Sequence, residues 1–108
     1  MADDFYCDQV LNGRLKVDTV AETDHVLAFH HTKPSWPVHI VIIPKLHVDS
    51  LVELVDHHGS LVVEMMEVLV EVVRKVTRDH GGCRLTTNFG KFQSSNHLHW
   101  HIYVGDDR

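Results

Sequence analysis

The sequence predicts an α+β domain in which an antiparallel sheet of about five strands packs against one long and one short helix. Three observations support this class. One central segment has helical periodicity, short runs rich in β-branched residues flank it, and most connections are short. A chain of 108 residues without repeats or a shift in composition fits one domain, and we assign residues 1–108 to it.

The first half of the chain predicts a short helix followed by three strands. The helix covers residues 4–11 and ends at Asn12–Gly13, because glycine commonly stops helices. Pro34 and Pro37 predict a loop between the second and third strands. The three strands are "RLKVDTV", "HVLAFHH" and "VHIVIIP".

The second half predicts the main helix and two more strands. Ser50 and Glu53 have capping-box spacing, which indicates a turn of helix near Leu51. The main helix runs from about residue 57 or 60 to residue 79 and ends at the glycine pair 81–82, and "CRLTTN" and "HLHWHIYV" supply the last two strands. Apolar residues share one side of the main helix, which we expect to face the sheet: Leu61, Met65, Val68, Val72 and Val76.

Charge and composition exclude several classes of partner. The formal net charge is −5 and no basic stripe offsets it, so we expect no nucleic-acid polymer as a partner. The most apolar segment, 61–76, carries five charged residues, which excludes a membrane span. The N-terminus lacks the pattern of a signal peptide, and we expect Cys7 and Cys83 to be reduced thiols. The sequence therefore predicts a cytoplasmic protein.

Histidine is the unusual residue of this chain, with 11 of 108 positions. Three of them alternate with apolar residues in "HLHWHIYVG", from residue 97 to residue 105. On a strand, successive side chains point to opposite faces, so His97, His99 and His101 project together. We expect Leu98, Trp100 and Ile102 to be buried under the helix, and the histidines to face a cleft or solvent.

Three interpretations of this row of histidines remain open: a polar sheet face, a zinc site and a catalytic group. Two histidines on one strand can bind zinc with a third ligand from a neighbouring strand, and His39 is the candidate for that ligand. However, His97 and His101 lie about 13 Å apart along an extended strand, which makes one shared ion awkward. No carboxylate lies within or beside the row in the sequence.

Covalent catalysis at phosphorus uses all three imidazoles. A neutral imidazole is a competent nucleophile near pH 7, because its ordinary pKa is about 6.5. The flanking histidines can transfer protons or donate hydrogen bonds to phosphate oxygens. His99 is the expected nucleophile, since it alone has a histidine on both sides.

Two motifs in this order resemble the histidine-triad family of nucleotide hydrolases and transferases, and most of all its nucleotide-binding branch. "HLHWHIY" matches the family's His-x-His-x-His followed by two apolar residues, and "PVHIVIIPKLH" matches the pattern that precedes it. Matching features extend from about Phe5 to Gly105. The resemblance implies a small-molecule nucleotide as the substrate and a homodimer in which the two sheets join at their edges.

The resemblance also implies catalytic roles for four histidines. His99 would form a nucleotidyl-histidine intermediate, and His97 would help to orient the site. His101 would contact the phosphate and share in proton transfer. His39 matches an additional histidine that orients the triad.

Further residues are implied to bind the nucleotide. Neutral donors beside a phosphate stabilise developing charge without repelling the substrate. His31 departs from the family's pattern, in which an aspartate at this position binds the ribose hydroxyls, so the sugar preference stays open. The donors that match are Asn88, Gln93 and Ser94, and the apolar candidates to surround the base are Val10 and Phe29, with Phe5 and Leu15.

The sequence thus predicts a hydrolase of nucleoside phosphoramidates or related mononucleotidyl conjugates. His99 attacks the α-phosphorus, the leaving group departs, and water then releases the nucleoside monophosphate. This mechanism needs no cofactor and no metal. A dinucleoside-polyphosphate hydrolase or a nucleotidyl transferase would use the same chemistry, and a nucleotide-binding or zinc-binding module without turnover is the alternative of another class.

Overall fold

The computed structural model describes residues 4–105 and contains one five-stranded antiparallel sheet, which confirms the predicted fold class. Neighbouring strands in the sheet follow the order β1-β2-β3-β5-β4. No helix among these residues is long and apolar enough to cross a membrane. The strands are β1 (Thr19–Glu22), β2 (Val26–His30), β3 (Val38–Pro44), β4 (Arg84–Thr87) and β5 (Trp100–Val104).

Four helical segments accompany the sheet. A short π-helix, Tyr6–Leu11, begins the described chain, and we call it the N-terminal helix. Helix α1 (Leu51–His57) is followed closely by the long helix α2 (Gly59–His80), and a 3₁₀ turn covers Gly90–Phe92. The long helix matches its prediction and ends where Gly81 adopts a positive φ of 85°, a conformation that suits glycine.

One face of the sheet packs against α2. The apolar side of the helix is buried as predicted, and Leu98, Trp100 and Ile102 lie in the same core cluster, which confirms their predicted place under the helix. Glu64 on α2 also accepts hydrogen bonds from Thr23 and His25, so it holds the turn between β1 and β2 against the helix.

The opposite face of the sheet is covered by the N-terminal helix. Tyr6 and Val10 pack there on Phe29 and other apolar residues of β2 and β3. The same cover buries His97 and His99, which are 0% and 2% exposed. The expectation that these two histidines face a cleft or solvent is therefore wrong, because a helix from the start of the chain lies over them.

Two predicted strands begin later than expected. The first was predicted over "RLKVDTV" but begins at Thr19, because the N–H of Leu15 donates to Gln9 of the N-terminal helix over 2.7 Å. The last was predicted from His97 but begins at Trp100. Before Trp100, the N–H of Leu98 donates to the carbonyl of Val48 over 2.6 Å and not to a strand of the sheet, so residues 97–99 do not join β5.

The short helix α1 forms where the capping-box spacing predicts it. Ser50 is its N-cap but makes no side-chain hydrogen bond to the helix. Instead, Glu53 accepts the backbone N–H of Asp49. Of the two hydrogen bonds of a capping box, only the one accepted by the glutamate is present, and its donor is the backbone of Asp49 and not that of Ser50.

Candidate functional site

Four histidines form a continuous group on the sheet face opposite α2. The pairing of β3 with β5 sets Val41 opposite His101, so His39, two residues earlier on β3, lies on the same face. Ring centroids are 4.3 Å apart for His31 and His39, and 5.0 Å apart for His39 and His101. His99 completes the group, with its ring centroid 5.1 Å from that of His101.

His99 holds a lone pair in a defined position. Its Nδ1 lies 2.7 Å from the carbonyl oxygen of His97, and a carbonyl can only accept, so Nδ1 carries the proton. Nε2 is then unprotonated and lies 3.3 Å from Oγ of Ser94. Burial lowers the pKa of His99 and outweighs the hydrogen bond to the backbone of His97, which raises it, so the ring is neutral near pH 7. A neutral ring with a fixed Nε2 lone pair is the form a nucleophile requires.

A relay of hydrogen bonds sets the protonation of His39 and His101. The backbone N–H of Ser35 donates to Nδ1 of His39 over 3.2 Å, so neutral His39 carries its proton on Nε2. That Nε2–H donates to Nδ1 of His101 over 2.9 Å. His101 therefore carries its own proton on Nε2, and a hydrogen-bond donor faces away from His39.

Burial keeps both members of this pair neutral. It lowers the pKa of His39 to about 4, with a further contribution from His31. It lowers the pKa of His101 to about 3, and repulsion from the imidazoles of His99, His39 and His31 adds to the effect. The site thus offers donors without carrying positive charge at neutral pH.

His97 has different surroundings from the other members of the row. Its Nε2–H donates to the carbonyl of Pro44 over 2.7 Å, which anchors it to the end of β3. Its Nδ1 lies 3.4 Å from Sγ of Cys7 and 3.2 Å from a carboxylate oxygen of Asp4. A neutral ring presents its Nδ1 lone pair to this side, where the Cys7 thiol is a hydrogen-bond donor within reach, and a metal ion bound there would displace the thiol proton.

Asp4, Cys7, His47 and His97 could hold such a metal ion. One ligand atom from each residue lies within 4.8 Å of all the others. One oxygen, one sulfur and two nitrogens form a donor set that suits zinc in tetrahedral geometry. The zinc site considered from the sequence used His39 as a ligand, whereas this candidate cluster does not include His39. It includes the carboxylate of Asp4, which lies far from the row of histidines in the sequence.

The electrostatics of this metal-ligand cluster favour a cation. Burial acts to raise the pKa of Asp4, but hydrogen bonds from Cys7 and the contact with His97 hold it at about 2, so the carboxylate is ionised. Burial and the charge of Asp4 raise the pKa of the Cys7 thiol to about 12. In the absence of a metal the thiol keeps its proton, and a bound metal would displace it.

The residues predicted to bind nucleotide lie in three places. His31 and Asn88 line a cavity of about 370 Å³ together with His39 and His101. Ser94 contacts His99, whereas Gln93 donates to the backbone carbonyl of Asp49. Phe29 and Val10 are only 1% and 7% exposed and belong to the core under the N-terminal helix, so they offer little surface to a base.

Reasoning from the sequence missed four residues beside the triad: Asp4, Tyr6, Cys7 and His47. Tyr6 packs against His99 and His97, with ring centroids 5.1 and 5.8 Å away. Asp4 and Cys7 reach His97 from the other end of the chain. The three-residue spacing of Asp4 and Cys7 was the available signal. Nothing local in the sequence indicates that folding brings these two residues to His47 and His97.

The depressed pKa values predict that acid destabilises the fold through His39 and His101. Between about pH 4 and 6.5 the unfolded chain binds these protons while the folded chain does not, so the free energy of unfolding falls as pH is lowered. Each group contributes at most about 1.4 kcal/mol per pH unit. We expect urea denaturation to show a shallower pH dependence for His101→Gln. The exposed control His57→Gln should keep the steeper dependence, and an equal slope in all three proteins would contradict the assignment.

Comparison with known proteins places this geometry in a family. Residues 12–108 match the sequence pattern that defines the HIT domain family. An uncharacterised HIT-like protein of Azospirillum brasilense is 33% identical, with 90% of this chain and 82% of that protein covered. A similar protein of Methanocaldococcus jannaschii is 32% identical over 91% of this chain and 78% of its own length.

Solved structures of similar proteins belong to the same family. A histidine triad protein from Clostridium difficile is 33% identical with a TM-score of 0.79, covering 97% of this chain and 92% of that chain. A HIT family hydrolase from Clostridium thermocellum is 28% identical with a TM-score of 0.77, covering 99% and 94%. The resemblance seen in the sequence is confirmed, and the chain belongs to the HIT domain family.

Proposed function

We propose that this protein hydrolyses nucleotide conjugates, such as nucleoside phosphoramidates, through a covalent intermediate on His99, in the cytoplasm. The observation that carries the proposal is the fixed lone pair on Nε2 of His99 beside the hydroxyl of Ser94, with the neutral ring of His101 next to it. A similar structure is that of a HIT family hydrolase, which supports the reaction class.

The reaction proceeds in two steps. Nε2 of His99 attacks the α-phosphorus, a nitrogen–phosphorus bond forms, and the bond to the leaving group breaks with its electron pair on the leaving atom. Water then attacks the same phosphorus, and the electron pair of the nitrogen–phosphorus bond returns to His99. The proton that an amine leaving group needs comes from solvent, and the proton that the attacking water loses returns to solvent, while neutral His101 contributes its Nε2–H as a hydrogen-bond donor.

Neutral donors stabilise the charge on the phosphoryl oxygens. Nε2–H of His101, the hydroxyl of Ser94 and the amide of Asn88 serve this role, and Gln93 would join them after releasing the carbonyl of Asp49. His97 anchors the segment to β3, and His39 fixes the tautomer of His101. Phe29 and Val10 would contact a base, and Nε2 of His99 would reach a phosphorus atom, only after the N-terminal helix moves, because all three residues are buried beneath it.

Removing the nucleophile should abolish turnover. We expect His99→Ala and His99→Gly to lower the hydrolysis of adenosine 5′-phosphoramidate by at least about 1,000-fold. Mass spectrometry of the acid-sensitive adduct, quenched at high pH, should find a nucleotidyl group on the wild-type protein and none on either variant. The exposed control His57→Ala should keep wild-type rates. Unchanged rates in the His99 variants would refute covalent catalysis at this residue.

Zinc binding is a second candidate function, and the cluster of Asp4, Cys7, His47 and His97 favours it. We expect metal-free protein to take up one zinc ion per chain and to melt at a higher temperature when loaded. The double variant Cys7→Ser/His47→Ala should lose both effects, and His57→Ala should keep them. Equal zinc uptake by the double variant would exclude this site, and hydrolysis by the metal-free protein would separate zinc binding from catalysis.

We also propose that the protein is a homodimer. Val63, Met66 and Val70 form an exposed apolar stripe on α2, and they are 64%, 37% and 47% exposed. The groove along this stripe carries Glu67 and Glu71 towards one end and Arg74 and Arg78 towards the other. Two copies of α2 packed antiparallel would set the acidic end of each against the basic end of its partner. Leu85, on the edge strand β4, is also exposed, so the edges of the two sheets would join in the same dimer, as the resemblance implies.

Light scattering tests this dimer. We expect a mass of about twice 12.4 kDa for the wild-type protein, and about half of that for Val70→Glu, because burying a charge in the apolar stripe costs free energy. Arg74→Glu should weaken the dimer, and adding Glu67→Arg to it should restore the dimer by exchanging the charges. A monomeric wild-type protein, or no effect of Val70→Glu, would contradict the proposed interface.

A further inference from the structure

The N-terminal helix lies over the nucleophile. Tyr6, its first residue, packs its ring on that of His99 with the two centroids 5.1 Å apart. His99 is only 2% exposed, while the nearby cavity of about 370 Å³ opens onto His39 and His101 instead. With the helix in this place, His99 therefore offers almost no surface to a substrate.

This helix is short and depends on its contacts for stability. It has six residues in a π-helical pattern, which is rare and is frequently found at functional sites. A helix of this length is not stable on its own. Residues 12–18, which join it to β1, are irregular and mostly exposed, and Gly13 among them has a positive φ of 80°. A short element on such a connection can move as a unit, and the moving parts of proteins are drawn from elements of low stability.

The metal-ligand cluster ties the start of this helix to the body of the domain. Asp4 precedes the helix and Cys7 lies within it, and both belong to the cluster. The other two members, His47 and His97, lie after β3 and before β5. Asp4 accepts the backbone N–H of Cys7 over 3.0 Å, so these two ligands are joined to each other at the start of the helix.

Tyr6 connects the cluster to the nucleophile. It lies between Asp4 and Cys7 in the chain, so the position of its ring over His99 is linked to these two ligands. The same ring contacts the cluster residue His97, with the centroids 5.8 Å apart. Raising the helix to uncover the nucleophile would therefore pull the two ligands of the helix away from the two histidines of the cluster.

We propose that the N-terminal helix is a lid that opens to let a nucleotide reach His99, and that the metal-ligand cluster is the latch of this lid. A Zn²⁺ ion would bind only the closed lid, because opening separates its four ligands. On binding, the thiol of Cys7 loses its proton to solvent, and the charges of Zn²⁺, the thiolate and the carboxylate of Asp4 cancel. The inference rests on the proposed binding of nucleotide and zinc, and it adds that each weakens the binding of the other.

Reciprocal binding tests the latch without turnover. Calorimetry should show AMP binding to metal-free protein, and binding at least about fivefold weaker to zinc-loaded protein. The affinity for zinc, measured against a chromophoric chelator, should fall by the same factor when AMP saturates the protein, because coupling between two sites is symmetric. The double variant Cys7→Ser/His47→Ala should bind AMP equally with and without zinc, and the exposed control His57→Ala should behave like wild type.

Chemical labelling tests the lid without any ligand. Diethyl pyrocarbonate modifies accessible imidazoles, and mass spectrometry can compare His99 with the exposed His57 in the same sample. We expect labelling of His99 to be at least about fivefold faster in Tyr6→Ala than in wild type, and unchanged in Tyr6→Phe, which keeps the ring. Leu61→Ala truncates a buried side chain under α2, on the other face of the sheet, and controls for general destabilisation. It should leave the labelling of His99 unchanged.

The outcomes separate the lid, the latch and the hydrolase. Equal AMP affinity in metal-free and zinc-loaded protein would overturn the latch, as would failure of the metal-free protein to bind either zinc or AMP. Equal labelling of His99 in Tyr6→Ala and wild type, or equal acceleration in Tyr6→Ala and Leu61→Ala, would overturn the lid. If AMP and zinc oppose each other but no nucleotide conjugate is hydrolysed, the hydrolase proposal fails and the latched lid stands. Hydrolysis at equal rates with and without zinc would overturn the latch and leave the hydrolase proposal intact.

Discussion

The pairing of β3 with β5 is the constraint on which the site depends. Its register brings Nε2 of His39 within 2.9 Å of Nδ1 of His101, in a place where burial keeps both rings neutral. A neutral imidazole has one donor and one acceptor, so fixing either nitrogen fixes the other. Backbone groups make that choice at Ser35 for His39, and at His97 for His99. The chemistry of the side chains thus follows from the backbone of the sheet and its loops.

Under the proposed function, this arrangement would let a protein of net charge −5 bind a substrate that is itself negatively charged. Charged side chains would attract phosphate from a distance, but the site instead uses buried N–H and O–H groups whose positions are set before the substrate arrives. Burial and the mutual repulsion of the imidazoles oppose protonation, so the donors of His31 and His101 persist at neutral pH. Binding of a phosphate group would then depend on the positions of these donors and not on the net charge of the protein.

Local patterns predict the elements, whereas distant contacts decide the surroundings of the site. The apolar side of α2, strand β3 and the burial of Trp100 follow from periodicity, because each depends on neighbours along one element. The cover over His97 does not, since Asp4 lies 93 positions away and joins it only in the folded chain. For the same reason, the sequence does not show how deeply Phe29, a candidate to surround the base, is packed under the N-terminal helix.

The alternating row of histidines therefore serves two environments that differ in charge. His99 and His101 lie among other imidazoles and are neutral, as a nucleophile and a neutral donor require. His97, two residues before His99, faces the ionised carboxylate of Asp4 and the thiol of Cys7. The change occurs in the segment before β5, where the N–H of Leu98 donates to the carbonyl of Val48. One sequence motif thus places His97 beside a carboxylate and a thiol, and His99 and His101 beside other imidazoles, and the change falls just before β5 begins at Trp100.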